Sequence, residues 1–346
     1  MTDTSDTRLQ VVVPAGGIGA ARFLRGLLAA LGDQADITVI GNTADDIWLH
    51  GLRVCPDLDT VMYTLGGGIS EERGWGREGE TFTVKDELAA YGVEPTWFGL
   101  GDKDIATHLI RSQLLQAGYP LSEVTEALCA RWNPGVRLLP MTDDRVETHV
   151  VVDDPDHDDP HSPAPRRALH FQEWWVRYRA ALPAHAFSLI GITDAKPGPD
   201  VVEAIERADV IVLPPSNPVV SIGTIVSVPG IREALIAASA PIVGVSPIIA
   251  GRPVRGMADA CLSAINVDTT ALAVARHYGP RRARIPEGAP GGGLLDGWLV
   301  DDSDADSIGA IEALGIRARA IPLFMTDVPA TTSIAIAALE LAGVSA

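Results

Sequence analysis

Cysteine is scarce in this 346-residue chain. Cys55, Cys129 and Cys261 are widely spaced, with no CxxC pair and no zinc-ligand spacing. Three scattered cysteines exclude a disulfide framework and read as reduced thiols of a cytoplasmic protein. Aromatic residues make up only 5%, and 27 basic residues face 45 acidic ones, for a formal net charge of −18. Bulk charge of that sign does not draw in phosphate backbones, which argues against nucleic acid as a partner. No uninterrupted apolar run approaches the ~18 residues of a membrane span. The apolar stretch at Leu9–Leu31 is interrupted by Arg22 and Arg25 and preceded by Asp3 and Asp6, so it does not read as a signal peptide. Any anionic ligand must then be held locally, by backbone N–H groups, a few Arg or Lys side chains, or a bound cation.

What is present is an ordinary globular composition, 47% hydrophobic and 21% charged. The β-branched run Leu9–Val13 predicts a buried strand. A glycine-rich turn follows, then apolar residues at helical spacing (Phe23, Leu24, Leu27, Leu28, Leu31) closed by Gly32. Ile37–Ile40 reads as a second strand. Strand, glycine turn, helix, strand is the opening of a parallel α/β sheet. Residues 66–80 form a glycine-rich loop, and 81–133 reads mostly helical, with Ser122 as a helix cap. The expected architecture is therefore a Rossmann-like doubly wound α/β fold with a mainly parallel sheet. Residues 9–65 and 141–346 form its core, and 66–140 a mostly helical insertion. Val146–Val152 and Ala186–Ile192 read as strands of that core. Asp153–Arg167 reads as an exposed loop, the polar residues 1–8 as a loose terminus, and 284–293 as a Pro/Gly linker.

Ligands of open α/β sheets bind beyond the carboxyl ends of the strands. Three loops leave such ends with useful chemistry. Gly16, Gly17 and Gly19 allow close backbone approach to an anion at a helix N-terminus, with Arg22 one turn further on. The spacing is neither a dinucleotide fingerprint nor a P-loop; a ligand-free tight turn is the alternative. Asn42-Thr43-Ala44-Asp45-Asp46 places two carboxylates after the second strand. Asp57 and Asp59 add another pair, pointing the same way if that segment is extended. Hard oxygens suit Mg²⁺, whereas ordinary caps and turns would explain either pair alone. Ser216 and Asn217 begin a loop of small polar residues suited to nucleotide contact, with an ordinary Asx turn as the equal rival. Arg252 and Arg255 are rare cations bracketed by glycines. Trp48, Tyr63 and Trp75 fall near the acidic and glycine-rich loops, where an aromatic face can stack on a planar ring.

Several of these runs occur together and in order. They are the Gly-Gly-x-Gly turn, Asn-Thr-Ala-Asp-Asp-x-Trp-x-His-Gly (42–51), Cys-Pro-Asp-Leu-Asp-Thr (55–60), Tyr-Thr-Leu-Gly-Gly-Gly (63–68), Trp-Phe-Gly-Leu-Gly-Asp-Lys-Asp (97–104), Pro-Pro-Ser-Asn-Pro (214–218) and Ser-Pro-Ile-Ile-Ala-Gly (246–251). From about residue 9 to 343 the chain resembles the 2-phospho-lactate transferase family of coenzyme F-420 biosynthesis, most closely its bacterial phosphoenolpyruvate-transferase branch.

The resemblance implies a Rossmann-like, usually dimeric enzyme. Such an enzyme transfers a phosphoenolpyruvyl or 2-phospho-lactyl group from a guanosine diphospho donor to a hydroxyl of the deazaflavin 7,8-didemethyl-8-hydroxy-5-deazariboflavin (FO). It releases GMP and requires Mg²⁺. Carried onto this sequence, Gly16, Gly17, Gly19 and Arg22 hold donor phosphate. Asp45, Asp46, Asp57 and Asp59 make the acidic site, with Asp45 and Asp46 catalytic and Asp45, Asp57 and Asp59 on the metal. Asn42, Trp48, His50, Gly67, Gly68 and Lys85 contact substrate, with Lys85 and the 66–68 loop on the FO side. Ser216, Asn217, Arg252 and Arg255 meet the guanosine end. Ala20 and Ala44 stand where family members often have Gly, so those two loops are expected to differ in backbone shape. A nucleotide-sugar-binding regulatory protein of the same fold is the alternative.

Overall fold

The β-branched run near the N-terminus lies in the interior of a seven-stranded parallel sheet. The computed structural model describes residues 8–159, 161–281 and 292–345. The polar residues 1–7 and most of the 284–293 linker lie outside the described residues. In chain order the strands are β1 (Leu9–Ala15), β2 (Ala35–Gly41), β3 (Ile47–Leu49), β4 (Leu52–Val54), β5 (Arg137–Pro140), β6 (Glu147–Asp153) and β7 (Arg166–His170). They continue with β8 (Ala186–Ile190), β9 (Val210–Leu213), β10 (Ile242–Val245), β11 (Ile248–Ile249), β12 (Arg252–Pro253), β13 (Gly297–Val300) and β14 (Arg317–Ala320). The central sheet runs β14-β13-β10-β9-β1-β2-β5, every neighbouring pair parallel. The order reverses between β1 and β9, so the sheet is doubly wound as expected.

Strands buried on both faces need apolar side chains of both parities. Val11, Val13, Val210, Val212, Val243 and Val245 pack on one face with the helix α1 (Gly17–Leu31) and the C-terminal helix Val328–Ala342. Val12, Ile211, Leu213 and Ile242 pack on the other, over the helices between Val201 and Tyr278. Gly26 lets α1 and the C-terminal helix meet: a Cβ there would lie 2.5 Å from the Thr331 carbonyl carbon.

Between β2 and β5 come α2 (Pro56–Leu65), α3 (Thr83–Ala90), α4 (Asp102–Gln116) and α5 (Leu121–Trp132). The stretch expected as a helical insertion over 66–140 thus holds three helices, and its last four residues are the edge strand of the central sheet. Ser122 is not the cap of α5: the helix starts one residue earlier, and Asp143 takes hydrogen bonds from the Ser122 N–H and Oγ. A second correction concerns 146–192. β6 and β8 do not join the core sheet. Instead β6 pairs antiparallel with both β7 and β8, in the order β7-β6-β8, around a core containing the fully buried Trp174. The Asp- and Pro-rich stretch expected as loop over 153–167 is the connection from β6 into β7. No described helix is by itself long and apolar enough to cross a membrane.

Candidate active site

A cleft of about 770 Å³ opens at the carboxyl ends of the central strands, over the point where strand order reverses. The turns after β1 and β9 form adjacent walls. Gly17 has φ of +71°, a conformation glycine adopts without strain. Gly16 and Gly19 are required for space: a Cβ on Gly19 would sit 2.5 Å from the Pro215 carbonyl oxygen, and one on Gly16 would meet Ser221 and Asp57. No acidic side chain occupies the first turn of α1 and no side chain caps it. Its exposed N–H groups therefore carry the positive end of the helix dipole into the cleft. The Asp57 carboxylate accepts a hydrogen bond from the Gly17 N–H.

Asn42, directly after β2, is the hub of the acidic site. Its Nδ2 donates to Asp45 Oδ2 at 3.0 Å and to Asp57 Oδ2 at 2.9 Å, and its Oδ1 accepts from the Ala44 N–H at 3.1 Å. One amide thus gathers two carboxylates against the glycine turn. Burial pushes Asp45 well above the usual carboxylate range, and the Asp57 charge adds to it. Burial raises Asp57 to about 6, opposed by the Asn42 and Gly17 hydrogen bonds. Asp45 Oδ1 is buried with no hydrogen-bond partner; the Thr148 hydroxyl beside it favours ionisation less than burial opposes it. A buried and a half-buried carboxylate side by side, with no basic partner, are costly unless a cation joins them. The donors are hard oxygens facing a phosphate-sized turn, and Mg²⁺ takes one or two carboxylates plus substrate phosphates. Asp45 and Asp57 are the residues that would hold such a cation.

The other two aspartates do not join them. Asp46, expected beside Asp45, is fully buried and turns to Arg53, whose Nη2 lies 3.1 Å from its Oδ2. Burial raises Asp46 to about 6 against the pull of Arg53. Residues 57–59 are not extended: Pro56 opens α2, so Asp57 and Asp59 diverge around its first turn. Asp59 borders the cleft, but both its oxygens are taken by the Arg111 guanidinium, itself 1% exposed. Among the described residues no group of three or more His, Cys, Asp or Glu is gathered to hold a metal.

Arg22 and Arg255 line the cleft close enough for each to feel the other's charge; Arg255 is lowered by burial and then by Arg22. Ser216 and Asn217 also line it, yet both brace loops. Ser216 Oγ donates to the Gly16 carbonyl at 2.9 Å, and Asn217 Oδ1 accepts from the Val219 and Val220 N–H groups. Trp48 and Arg252 are exposed, and neither lines this cleft. His50 and Lys85 line a separate, mostly apolar groove of about 230 Å³ beside α3 and α4. Gly67 forms a turn at φ +72°, and Gly68 makes room for the Trp132 ring. Ala20 lies within α1, and Ala44 does not adopt positive φ, so neither loop depends on glycine geometry there.

The family model described as 2-phospho-L-lactate transferase CofD matches residues 11–314. The chain belongs to the 2-phospho-L-lactate transferase family. It is therefore a transferase, and close relatives extend over nearly its whole length. It is 64% identical to a phosphoenolpyruvate transferase of Streptomyces griseus over 334 residues, covering 96% of this chain and 98% of that one. It is 61% identical to one from Thermobifida fusca, with the same coverage. A crystal structure of a UPF0052-family protein from Bacillus halodurans superposes with a TM-score of 0.58 at 17% identity. It covers 96% of this chain and 99% of that one, a likeness of fold.

The transferase carries cleft residues that sequence reasoning passed over. Asp104 and His108 line it from one face of α4 at i, i+4, with Arg111 behind them at i+7, a spacing that could have singled them out. Arg73 and Gln172 also line the cleft. Gln172, just past β7, donates to the Asp45 carbonyl at 3.0 Å, His170 Nε2 lies 3.2 Å from the Asp46 carbonyl, and the Thr148 N–H donates to Ala44 O at 2.7 Å. The small antiparallel sheet thus clamps the acidic turn.

Proposed function

We propose that this transferase moves a phosphoenolpyruvyl or 2-phospho-lactyl group from a guanosine diphospho donor to a hydroxyl of FO, releasing GMP. The observation that carries the reading is the Asn42-gathered pair Asp45 and Asp57 set against the N-terminus of α1, where Asp57 takes the Gly17 N–H. The names of the Streptomyces and Thermobifida relatives favour the phosphoenolpyruvyl donor.

Transfer to a hydroxyl at phosphorus demands in-line positioning and charge neutralisation more than covalent chemistry. The glycine turn and the N–H groups of α1 receive donor phosphate, and Arg22 and Arg255 add fixed positive charge. Asp45 and Asp57 would hold Mg²⁺, which when bound neutralises the diphosphate charge. Asp45 Oδ1, with only the Thr148 hydroxyl near it, orients the FO hydroxyl and accepts its proton. Trp75 lines the cleft and remains 45% exposed, available to stack on the deazaflavin ring.

Mass spectrometry of products from FO with each candidate guanosine donor, with and without Mg²⁺, tests the reading. It expects GMP and a single FO adduct, formed only with Mg²⁺ and fastest with the enolpyruvyl donor. Asp45→Ala is expected to lose at least ~10²-fold in rate. No adduct with any donor would overturn the reading, and near-normal turnover of Asp45→Ala would remove that residue's role.

A further inference from the structure

One wall of the cleft holds a polar cluster that the transfer chemistry does not use. Tyr63 donates its hydroxyl to Asp104 Oδ1 at 2.6 Å. His108 Nε2 lies 3.8 Å from the same oxygen, too far for a hydrogen bond. His108 is 1% exposed and lines the cleft, and its Nε2 has no hydrogen-bond partner.

The ring's proton can be placed from its neighbours. Arg111 Nη1 approaches His108 Nδ1 at 3.0 Å. A guanidinium has only donors, so Nδ1 must present its lone pair. Asp59 Oδ2, an acceptor near Nδ1, is 3.7 Å away and already takes the Arg111 Nη1 hydrogen bond. Burial also lowers His108, to about 4, so the ring is neutral at pH 7. A neutral imidazole that accepts at Nδ1 carries its hydrogen at Nε2. Just beneath the cleft surface therefore lies a buried N–H donor with nothing to donate to, next to a carboxyl oxygen that has lone-pair capacity left.

Two sites 3.8 Å apart can both be reached by one oxygen at about 2.8 Å from each. The group that accepts from an N–H and donates to a carboxylate through one oxygen is a hydroxyl. We propose that His108 Nε2–H and Asp104 Oδ1 bind a single hydroxyl of the acceptor substrate, distinct from the hydroxyl that reacts at Asp45. The proposal rests on the reading of a hydroxyl-bearing acceptor. It assigns His108 and Asp104 to acceptor recognition and leaves the guanosine donor to the glycine-turn wall. The fixed tautomer makes the recognition directional: an acceptor lacking that hydroxyl leaves both groups unpaired in a buried setting, an expensive outcome.

Two variants separate binding from folding. His108→Asn keeps an oxygen near the Nδ1 position for Arg111 and removes the distal donor. His108→Gln places an amide N–H near the Nε2 position. His108→Asn is expected to raise the FO dissociation constant about 10-fold or more, in line with a lost hydrogen bond in a buried site, with guanosine-donor binding unchanged. His108→Gln is expected to restore much of the FO affinity. Among FO analogues each lacking one hydroxyl, a single analogue should bind wild type and His108→Asn equally weakly. ¹⁵N NMR of ring-labelled protein without substrates should show His108 protonated at Nε2. Equal loss of FO and donor affinity in His108→Asn, sensitivity to every analogue alike, or an Nδ1-protonated ring would overturn the proposal. Failure of wild type to bind FO at all would instead overturn the functional reading, while the NMR result would still stand on its own.

Discussion

Asp57 is a carboxylate whose burial works against folding and toward function. Its folded value, raised to about 6, lies above the unfolded value of 3.8. Ionisation of Asp57 therefore opposes folding: in the metal-free protein this group's contribution is most favourable below about pH 4 and is lost as pH rises through about 6. Asp57→Asn removes the charge and relieves its repulsion with Asp45. It is expected to raise metal-free stability at pH 7.5 by on the order of 1–2 kcal/mol, read by urea unfolding, while the transfer rate falls by about 10² or more. A variant both less stable and inactive would contradict this account of Asp57. Arg111 is the opposite case. Its guanidinium compensates buried Asp59, and removing one partner of such a pair typically costs about 3–5 kcal/mol. Arg111→Met is expected to lose that much in urea unfolding, and the Asp59→Asn/Arg111→Met double variant to recover most of it. The residue roles were unevenly legible in the sequence. Asp45 and Asp57 were visible as acids at a strand end and in an acidic pair. The arginines that claim Asp46 and Asp59 were not, because Arg111 reaches Asp59 from 52 positions away.

At the scale of elements, local signals survived and long-range ones did not. The β1–α1–β2 unit was readable because each part declares itself within a few residues: a β-branched run, glycines, a helical stripe, a second apolar run. The strand β7 was hidden. Its sequence Arg-Arg-Ala-Leu-His follows a Pro- and Asp-rich connection and earns its place only by pairing with β6. Residues 57–59 are helical rather than extended because Pro56, a common helix opener, starts α2. The small sheet matters because it grips the Asp45–Asp46 turn. Gln172→Ala removes one of the three clamps and is expected to lower kcat several-fold with little change in melting temperature. A loss confined to stability would show that the clamp is not transmitted to Asp45. Packing of α1 is tested at Gly26. Gly26→Ala forces a methyl group against Thr331 and is expected to cost about 1–3 kcal/mol in urea unfolding, as overpacked cores do.

For the molecule as a whole, a chain of net charge −18 accepts a polyanionic donor only through local compensation. On the proposed reading the N-terminus of α1 and the arginines on the cleft wall would supply part of it, and a divalent cation held by Asp45 and Asp57 would supply the rest. Isothermal titration of guanosine diphosphate into wild type and Asp57→Asn, each with and without Mg²⁺, measures that dependence directly. The account predicts that Mg²⁺ tightens binding to wild type by about 10-fold or more, roughly 1.4 kcal/mol, and has little effect on Asp57→Asn. Binding to wild type that is indifferent to Mg²⁺, or a metal effect of equal size in the variant, would contradict it.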